Sequence, residues 1–247
     1  MLLAIDQGNT NIKTGIEDEH GKLSDIRNFQ TLNECLTFIK NLPVKHAIVS
    51  SVADAHQQIQ LVNSISSLFT VISLQSNTPT PLNNEYSYPE QLGSDRLADA
   101  VGAWSLFPHQ HSLVIDCGTC INYEVVTSSG SYIGGGISPG LQMRLNSMHS
   151  GTGKLPMIKN VEFNGEFIGK ATQACMTSAT IWGIIGEIEK MISNLESKYS
   201  PINVILTGGD EMYFGKYLKN KIFAHPNLAI TGLIEILKYN IEHSKNA

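Results

Sequence analysis

Leu2 to Ile16 reads LLAIDQGNTNIKTGI, and Leu113 to Val126 reads LVIDCGTCINYEVV. Asp6 matches Asp116 and Gly8 matches Gly118, an offset of 110 residues in both cases (116 − 6 and 118 − 8). Each copy opens with a short apolar run, turns at Asp-x-Gly-Asn/Thr and resumes with residues suited to a second strand. Glycine at such a turn lets the backbone approach a ligand, and the neighbouring N–H groups can point at phosphate oxygens. A carboxylate at the strand end suits a metal ion. One Asp-x-Gly alone reads as a tight turn. Two copies in matching strand contexts predict a duplicated phosphate-binding unit, with two hairpins gripping a nucleoside triphosphate from opposite sides.

At 247 residues the chain is long enough for one large or two modest domains with a substantial core. The repeat predicts two similar halves, residues 1–110 and 111–247. Lys and Arg number 17 against 22 for Asp and Glu, a net charge of −5, with no long basic run. Nucleic acid is therefore not an expected partner. No apolar stretch approaches the roughly 20 residues that span a bilayer, and the first residues do not form a signal peptide. A cytoplasmic protein with no membrane partner is expected. The four cysteines, Cys35, Cys117, Cys120 and Cys175, are too few and scattered for a disulfide scaffold, so reduced thiols are expected.

Outward from the first hairpin, the pattern predicts strands near 2–7, 11–17 and 23–29, a helix from Asn33, a buried strand at His46 to Val52 and a helix through 55–67. Residues 75–90, QSNTPTPLNNEYSYPE, lack an apolar period and read as a linker or ligand-facing loop. A helix starts near Ser94, where Ser or Asp can cap it, and ends before Pro108. Strands recur at 112–117, 121–127 and 131–137, and a helix follows Pro139. Ile181, Ile184, Ile185, Ile188, Met191, Ile192 and Leu195 lie on one face of a later helix, as core or as a subunit interface. A strand at 203–210 and a helix from Leu228 complete the second half.

Gly93-Ser94-Asp95-Arg96 places an acid beside a base at a loop-to-helix junction. There the carboxylate can take a proton from a substrate hydroxyl and the guanidinium can hold an anion; the same Asp equally suits a helix macrodipole. Thr207-Gly208-Gly209-Asp210 ends an apolar strand and reads either as a seat for a purine or ribose or as a plain strand-to-helix turn. Gly134-Gly135-Gly136 is costly unless a ligand or another backbone comes close. Cys117-x-x-Cys120 differs from a redox motif because its second cysteine begins a return strand rather than a helix. Neither these cysteines nor His109-x-His111 form an expected metal site.

Taken in order, Asp6-Gln7-Gly8-Asn9-Thr10, Gly93-Ser94-Asp95-Arg96, Asp116-Cys117-Gly118-Thr119, Gly134-Gly135-Gly136-Ile137-Ser138-Pro139-Gly140 and Thr207-Gly208-Gly209-Asp210 resemble the motif set of type III pantothenate kinases. The resemblance runs from residue 2 to about residue 240. It implies an α/β fold of two duplicated ribonuclease H-like, actin-like ATPase halves with a nucleotide cleft between them. It further implies phosphorylation of pantothenate by ATP to 4'-phosphopantothenate, the first step of coenzyme A biosynthesis. By the resemblance, Asp6, Gln7, Gly8, Asn9, Thr10, Asn11, Ile12 and Lys13 contact ATP, Asp6 also holding Mg²⁺ through water. Thr119 binds ATP from the other hairpin, and Asp116 helps bind a monovalent cation, K⁺ or NH₄⁺. Asp95 matches the proton acceptor, and Tyr86, Gly93, Ser94, Asp95, Arg96 and Thr172 match pantothenate-binding positions. Thr172 is one that the family supplies at a homodimer interface, which assigns the apolar helix beyond it to dimerisation.

The run after the second Asp-x-Gly-Thr departs from the family pattern, with Cys120, Ile121, Asn122, Tyr123 and Glu124 where Ala, an aliphatic residue or Thr, Thr, any residue and Asp are usual. Glu124 keeps the carboxylate and lengthens its reach. Two other functions fit parts of the pattern. One is a kinase of another small hydroxylated substrate such as a sugar; the other is a non-catalytic nucleotide-binding regulator of the same fold.

Overall fold

In the computed structural model, residues 1–8, 11–52 and 55–244 are described. The chain forms two compact units, one of residues 1–108, 129–133 and 227–247, the other of 109–128 and 134–226.

The first unit begins with β1 (Leu2–Gln7), β2 (Ile12–Glu17) and β3 (Leu23–Phe29), followed by α1 (Leu32–Ile39), β4 (His46–Ser51), α2 (Ala55–Ile65) and β5 (Thr70–Ser73). Its sheet runs β3-β2-β1-β4-β5. β1 pairs antiparallel with β2 and parallel with β4, which itself pairs parallel with β5. The apolar run of β1 is buried because β1 is the central strand. Leu3 and Ile5 join Cys35 and Ile39 of α1 and Leu61 and Ile65 of α2 in one core cluster. α1 is started by a capping box, Thr31 accepting from the amide of Glu34 while the Glu34 carboxylate accepts from the Thr31 amide.

Residues 75–90 are not a bare loop: β6 (Asn83–Asn84) lies within them, and a 3₁₀ turn at Pro89–Gln91 begins at their end. β6 pairs with the first residues of a later strand, Ser131 and Tyr132. α3 (Ser94–Leu106) then packs against α7 (Leu228–Ser244), and α7 also packs on β1, β2 and β4. The sequence expectation grouped residues 111–247 together, whereas α7 belongs to the first unit. The reason is close packing. A side chain on Gly232 would stand 1.8 Å from the Ala98 carbonyl oxygen, so the two helices cross backbone to backbone. Lys238 on α7 also pairs, at 2.5 Å, with Glu17, a carboxylate buried at the end of β2.

The second unit holds β7 (His111–Cys117), β8 (Cys120–Val126), most of β9 (Ser131–Pro139), α4 (Leu141–Ser150), α5 (Thr172–Tyr199), β10 (Ile202–Thr207), α6 (Glu211–Phe214) and β11 (Phe223–Ala224). Its strands run β9-β8-β7-β10-β11. β7 pairs antiparallel with β8 and parallel with β10, as β1 does with β2 and β4. The two sheets thus share one topology, the duplication expected from the repeated hairpin. The stripe of α5 is spent inside the unit: Ile181, Ile184, Ile185, Ile188 and Ile192 are all buried in the single chain. It is core, not a face left open for a partner. Among the described residues no helix is long and apolar enough to cross a membrane.

Gly232→Ala is expected to lower unfolding stability by about 2 kcal/mol, because the added methyl meets backbone that cannot rotate away. Urea denaturation checks it; an unchanged midpoint would mean that α3 and α7 separate at no cost.

Candidate active site

β1 carries Asp6 to the carboxyl end of the first sheet, where its register partners are Lys13 on β2 and Ser50 on β4. Residues paired in this way share a face of the sheet. Oδ1 of Asp6 is buried with no hydrogen-bond partner. Burial first, and then the charge of Asp95, raise the Asp6 carboxyl from its ordinary 3.8 to about 6, against the pull of Ser50 and Lys13. Beyond the strand, the Gly8 amide donates to the Asn11 carbonyl at 3.0 Å. Gln7 accepts from the Ser51 hydroxyl at 3.0 Å. The Ile12 side chain belongs to the core, so only its main chain is open to a ligand. Asn9 and Thr10 lie outside the described residues.

α3 brings the acceptor segment to the same unit. Its cap is Gly93, which offers no side chain, and not Ser94 or Asp95 as the sequence suggested. The Ser94 hydroxyl lies 2.9 Å from that of Ser50, and the Asp95 carboxylate accepts from the Arg96 amide at 2.8 Å. Burial raises the Asp95 carboxyl, opposed by the amide and the guanidinium of Arg96. Arg96 is itself buried and donates to the hydroxyls of Tyr86 at 3.4 Å and Tyr132 at 3.2 Å. The two tyrosine rings stack with centroids 6.2 Å apart, and the guanidinium sits 5.5 Å from the Tyr86 centroid. Part of the Arg96 fork thus fixes Tyr86. Asp6, Lys13, Tyr86 and Gly93 to Arg96 all belong to this one unit.

In the second unit the equivalent row is Asn122, Asp116 and Thr207. Its hairpin is one residue tighter: Gln7 faces Ile12, five residues on, but Cys117 faces Ile121, four residues on. Cys120 therefore points to the opposite face from Cys117. Both are free thiols, and burial pushes the Cys117 thiol far up, which disfavours its reactive thiolate. One of the two open readings of the glycines resolves. Another backbone lies against Gly135, where a side chain would fall 1.5 Å from the Tyr123 carbonyl oxygen. Gly208, at φ +94°, packs on Asp116 Oδ1 and the Cys117 carbonyl, either of which a side chain would meet at 2.4 Å. The Asp210 amide donates to the same carbonyl at 2.9 Å, and Asp210 lines a pocket of about 340 Å³ with Gln142, Lys159 and Asn160. Behind the hairpin, Glu187 of α5 accepts from Tyr123 at 2.8 Å and pairs with Arg144 of α4 at 2.5 Å. Thr172 is exposed at the first position of α5.

Residues 2–194 match the type III pantothenate kinase family. The chain belongs to that family. A type III pantothenate kinase from Bacteroides fragilis is 40% identical over 241 residues, covering 97% of this chain and 98% of that protein. Two solved structures share the fold at low identity. A Baf family protein from Campylobacter jejuni is 18% identical with a TM-score of 0.66, over 97% of this chain and 99% of that one. The activator of the 2-hydroxyisocaproyl-CoA dehydratase from Clostridium difficile, with bound ADPNP, is 12% identical with a TM-score of 0.53, over 99% and 96%. The fold is that of the actin-like ATPases and sugar kinases, with two ribonuclease H-like halves. As a type III pantothenate kinase, the protein is a phosphotransferase that uses ATP to phosphorylate pantothenate in coenzyme A biosynthesis.

Two residues that touch the expected site residues, Ser50 beside Ser94 and Tyr132 beside Arg96, escape a sequence reading. The only sign of the first is that the apolar strand HAIVSS ends in two hydroxyls at its carboxyl end.

Because its folded-state carboxyl is raised, Asp6 favours the fold below about pH 4 and loses that contribution as pH rises through about 6. Asp6→Asn is therefore expected to melt higher than the parent at pH 8 in chelator, by roughly 5 °C for about 2 kcal/mol. At pH 4 the two should coincide. A lower melting point at pH 8 would contradict a strained carboxylate.

Proposed function

We propose that Asp95 takes the proton of the pantothenate primary hydroxyl as that oxygen attacks the γ-phosphate of ATP. What carries this reading is the pairing of two carboxyls in one unit, each raised by burial, with the charge of Asp95 acting on Asp6. A raised carboxyl is the better base for a hydroxyl proton. Tyr86, Gly93, Ser94, Arg96 and Thr172 bind pantothenate, and the segment Asp6 to Lys13 together with Thr119 binds ATP. Arg96 favours this by holding Tyr86 through its hydroxyl and ring face.

The residues suit the cations that the family resemblance implies. Asp6 offers a buried, unpartnered carboxylate oxygen, which fits an Mg²⁺ held mainly by water and phosphate oxygens. Among the described residues no cluster of three or more His, Cys, Asp or Glu stands ready as an all-protein cage. Asp116 Oδ1 and the Cys117 carbonyl both lie against Gly208, oxygen donors of the kind K⁺ or NH₄⁺ takes, which supports assigning Asp116 to the monovalent cation. Such cations neutralise charge that spreads over the transferring phosphoryl group. Asp6 and Asp116 orient them, Lys13 adds fixed positive charge beside Asp6, and Asp95 holds the acceptor proton.

A homodimer is part of the same proposal. Its support is not the buried stripe of α5 but Phe167 and Ile168, 73% and 75% exposed just before Thr172. The Ser178 hydroxyl lies 2.7 Å from the Glu166 carbonyl and 2.8 Å from that of Phe167, which holds this apolar loop to the helix. The cytoplasm is the proposed location, where ATP is supplied and unbridged cysteines stay reduced.

Measured by ADP release with pantothenate, Mg²⁺ and K⁺, Asp95→Asn should lose at least about 10²-fold in kcat with KM for ATP little changed. Activity equal to the parent would remove Asp95 from the mechanism.

Phe167→Asp together with Ile168→Asp should shift the protein from dimer to monomer in analytical ultracentrifugation. A parent already monomeric at micromolar concentration would overturn the dimer.

A further inference from the structure

Ser50 is fully buried and lies between two groups to which the proposed function gives different tasks. On one side is Asp6, its register partner across the parallel β1–β4 pair. On the other is Ser94, the first residue of α3, with its hydroxyl oxygen 2.9 Å from that of Ser50. Either hydroxyl can be the donor in that contact, and Ser94 Oγ also reaches the Ser51 carbonyl at 3.3 Å. The end of β4 thus holds the first residue of α3 twice, by the side chain of Ser50 and by the main chain of Ser51.

We propose that Ser50 is a positioning residue that joins the nucleotide-side strand pair to the acceptor-binding segment, through its hydrogen bond to Ser94 and its register place beside Asp6. It touches neither substrate. It ties the end of β4, the parallel neighbour of β1, to the start of α3, so that Asp95, next to Ser94, keeps its place relative to Asp6. The inference rests on the assignment of Asp6 to ATP and of Ser94 to pantothenate.

Ser50→Ala, Ser50→Thr, Ser94→Ala, the Ser50→Ala/Ser94→Ala double variant and Asp6→Asn test it, with kcat and KM measured for ATP and for pantothenate and melting followed in parallel. Ser50→Ala is expected to lower kcat/KM for pantothenate about tenfold, the size of one hydrogen bond, and Ser50→Thr, which keeps the hydroxyl, to restore most of it. The double variant should be no worse than the poorer single one, because the two residues act through one contact. Parental kinetics in Ser50→Ala, multiplying effects in the double variant, or a Ser50→Thr as poor as Ser50→Ala would each overturn the proposal. If Asp6→Asn and Ser94→Ala are themselves fully active, the underlying site assignment fails and the proposal with it. If they are impaired while Ser50→Ala is not, only the role of Ser50 fails.

Discussion

A carboxylate withdrawn from water and only half answered is the constraint around which the first unit is arranged. Asp6 sits at the end of the central strand, with Lys13 and Ser50 on its two neighbours. One of its oxygens has no hydrogen-bond partner. Burying an ion without full compensation costs several kcal/mol per group in real proteins, so the strands on either side must be fixed well enough to hold it there. The row behind it, Gly15, Ala4 and Ile48, does so by accepting α7 directly. A second acid, Asp95, enters from α3 and adds to the same unbalanced charge. The site is thereby built for ligands that bring positive charge and for an acceptor that gives up a proton.

The second unit repeats the frame with different contents. Asp116 stands opposite Thr207 as Asp6 stands opposite Ser50, and both hydroxyl residues are buried. Asn122 takes the place that Lys13 holds in the first row, so no fixed cation faces Asp116 from its hairpin partner. Glu124, where the family usually has Asp, is fully buried two residues further along the same strand face.

Much of this was legible in the chain because strand and turn signals are local. The apolar runs, the Asp-x-Gly turns and the 3.6-residue period of α5 fall where the elements are found. The family followed from the order of five short motifs, each weak alone. What could not be read depends on contacts between distant residues. Gly135 carried two meanings in the sequence, and only the Tyr123 backbone lying against it chose between them. The stripe of α5 looked the same whether it met its own unit or a second chain. Ser50 was hidden because a strand-end serine is ordinary until its register brings it beside Asp6. The return of α7 turned on Gly232, a single glycine within a helix, which on propensity alone reads as a weakness.

That return sets an order on biosynthesis. The first unit needs residues 227–244, yet the intervening second unit leaves the ribosome before they do. Until α7 emerges, the face of the first sheet carrying Ala4, Gly15 and Ile48 lacks its cover, and α3 lacks the helix it crosses. The sheet that ends in Asp6 therefore waits for a helix that is made only after the whole of the second unit.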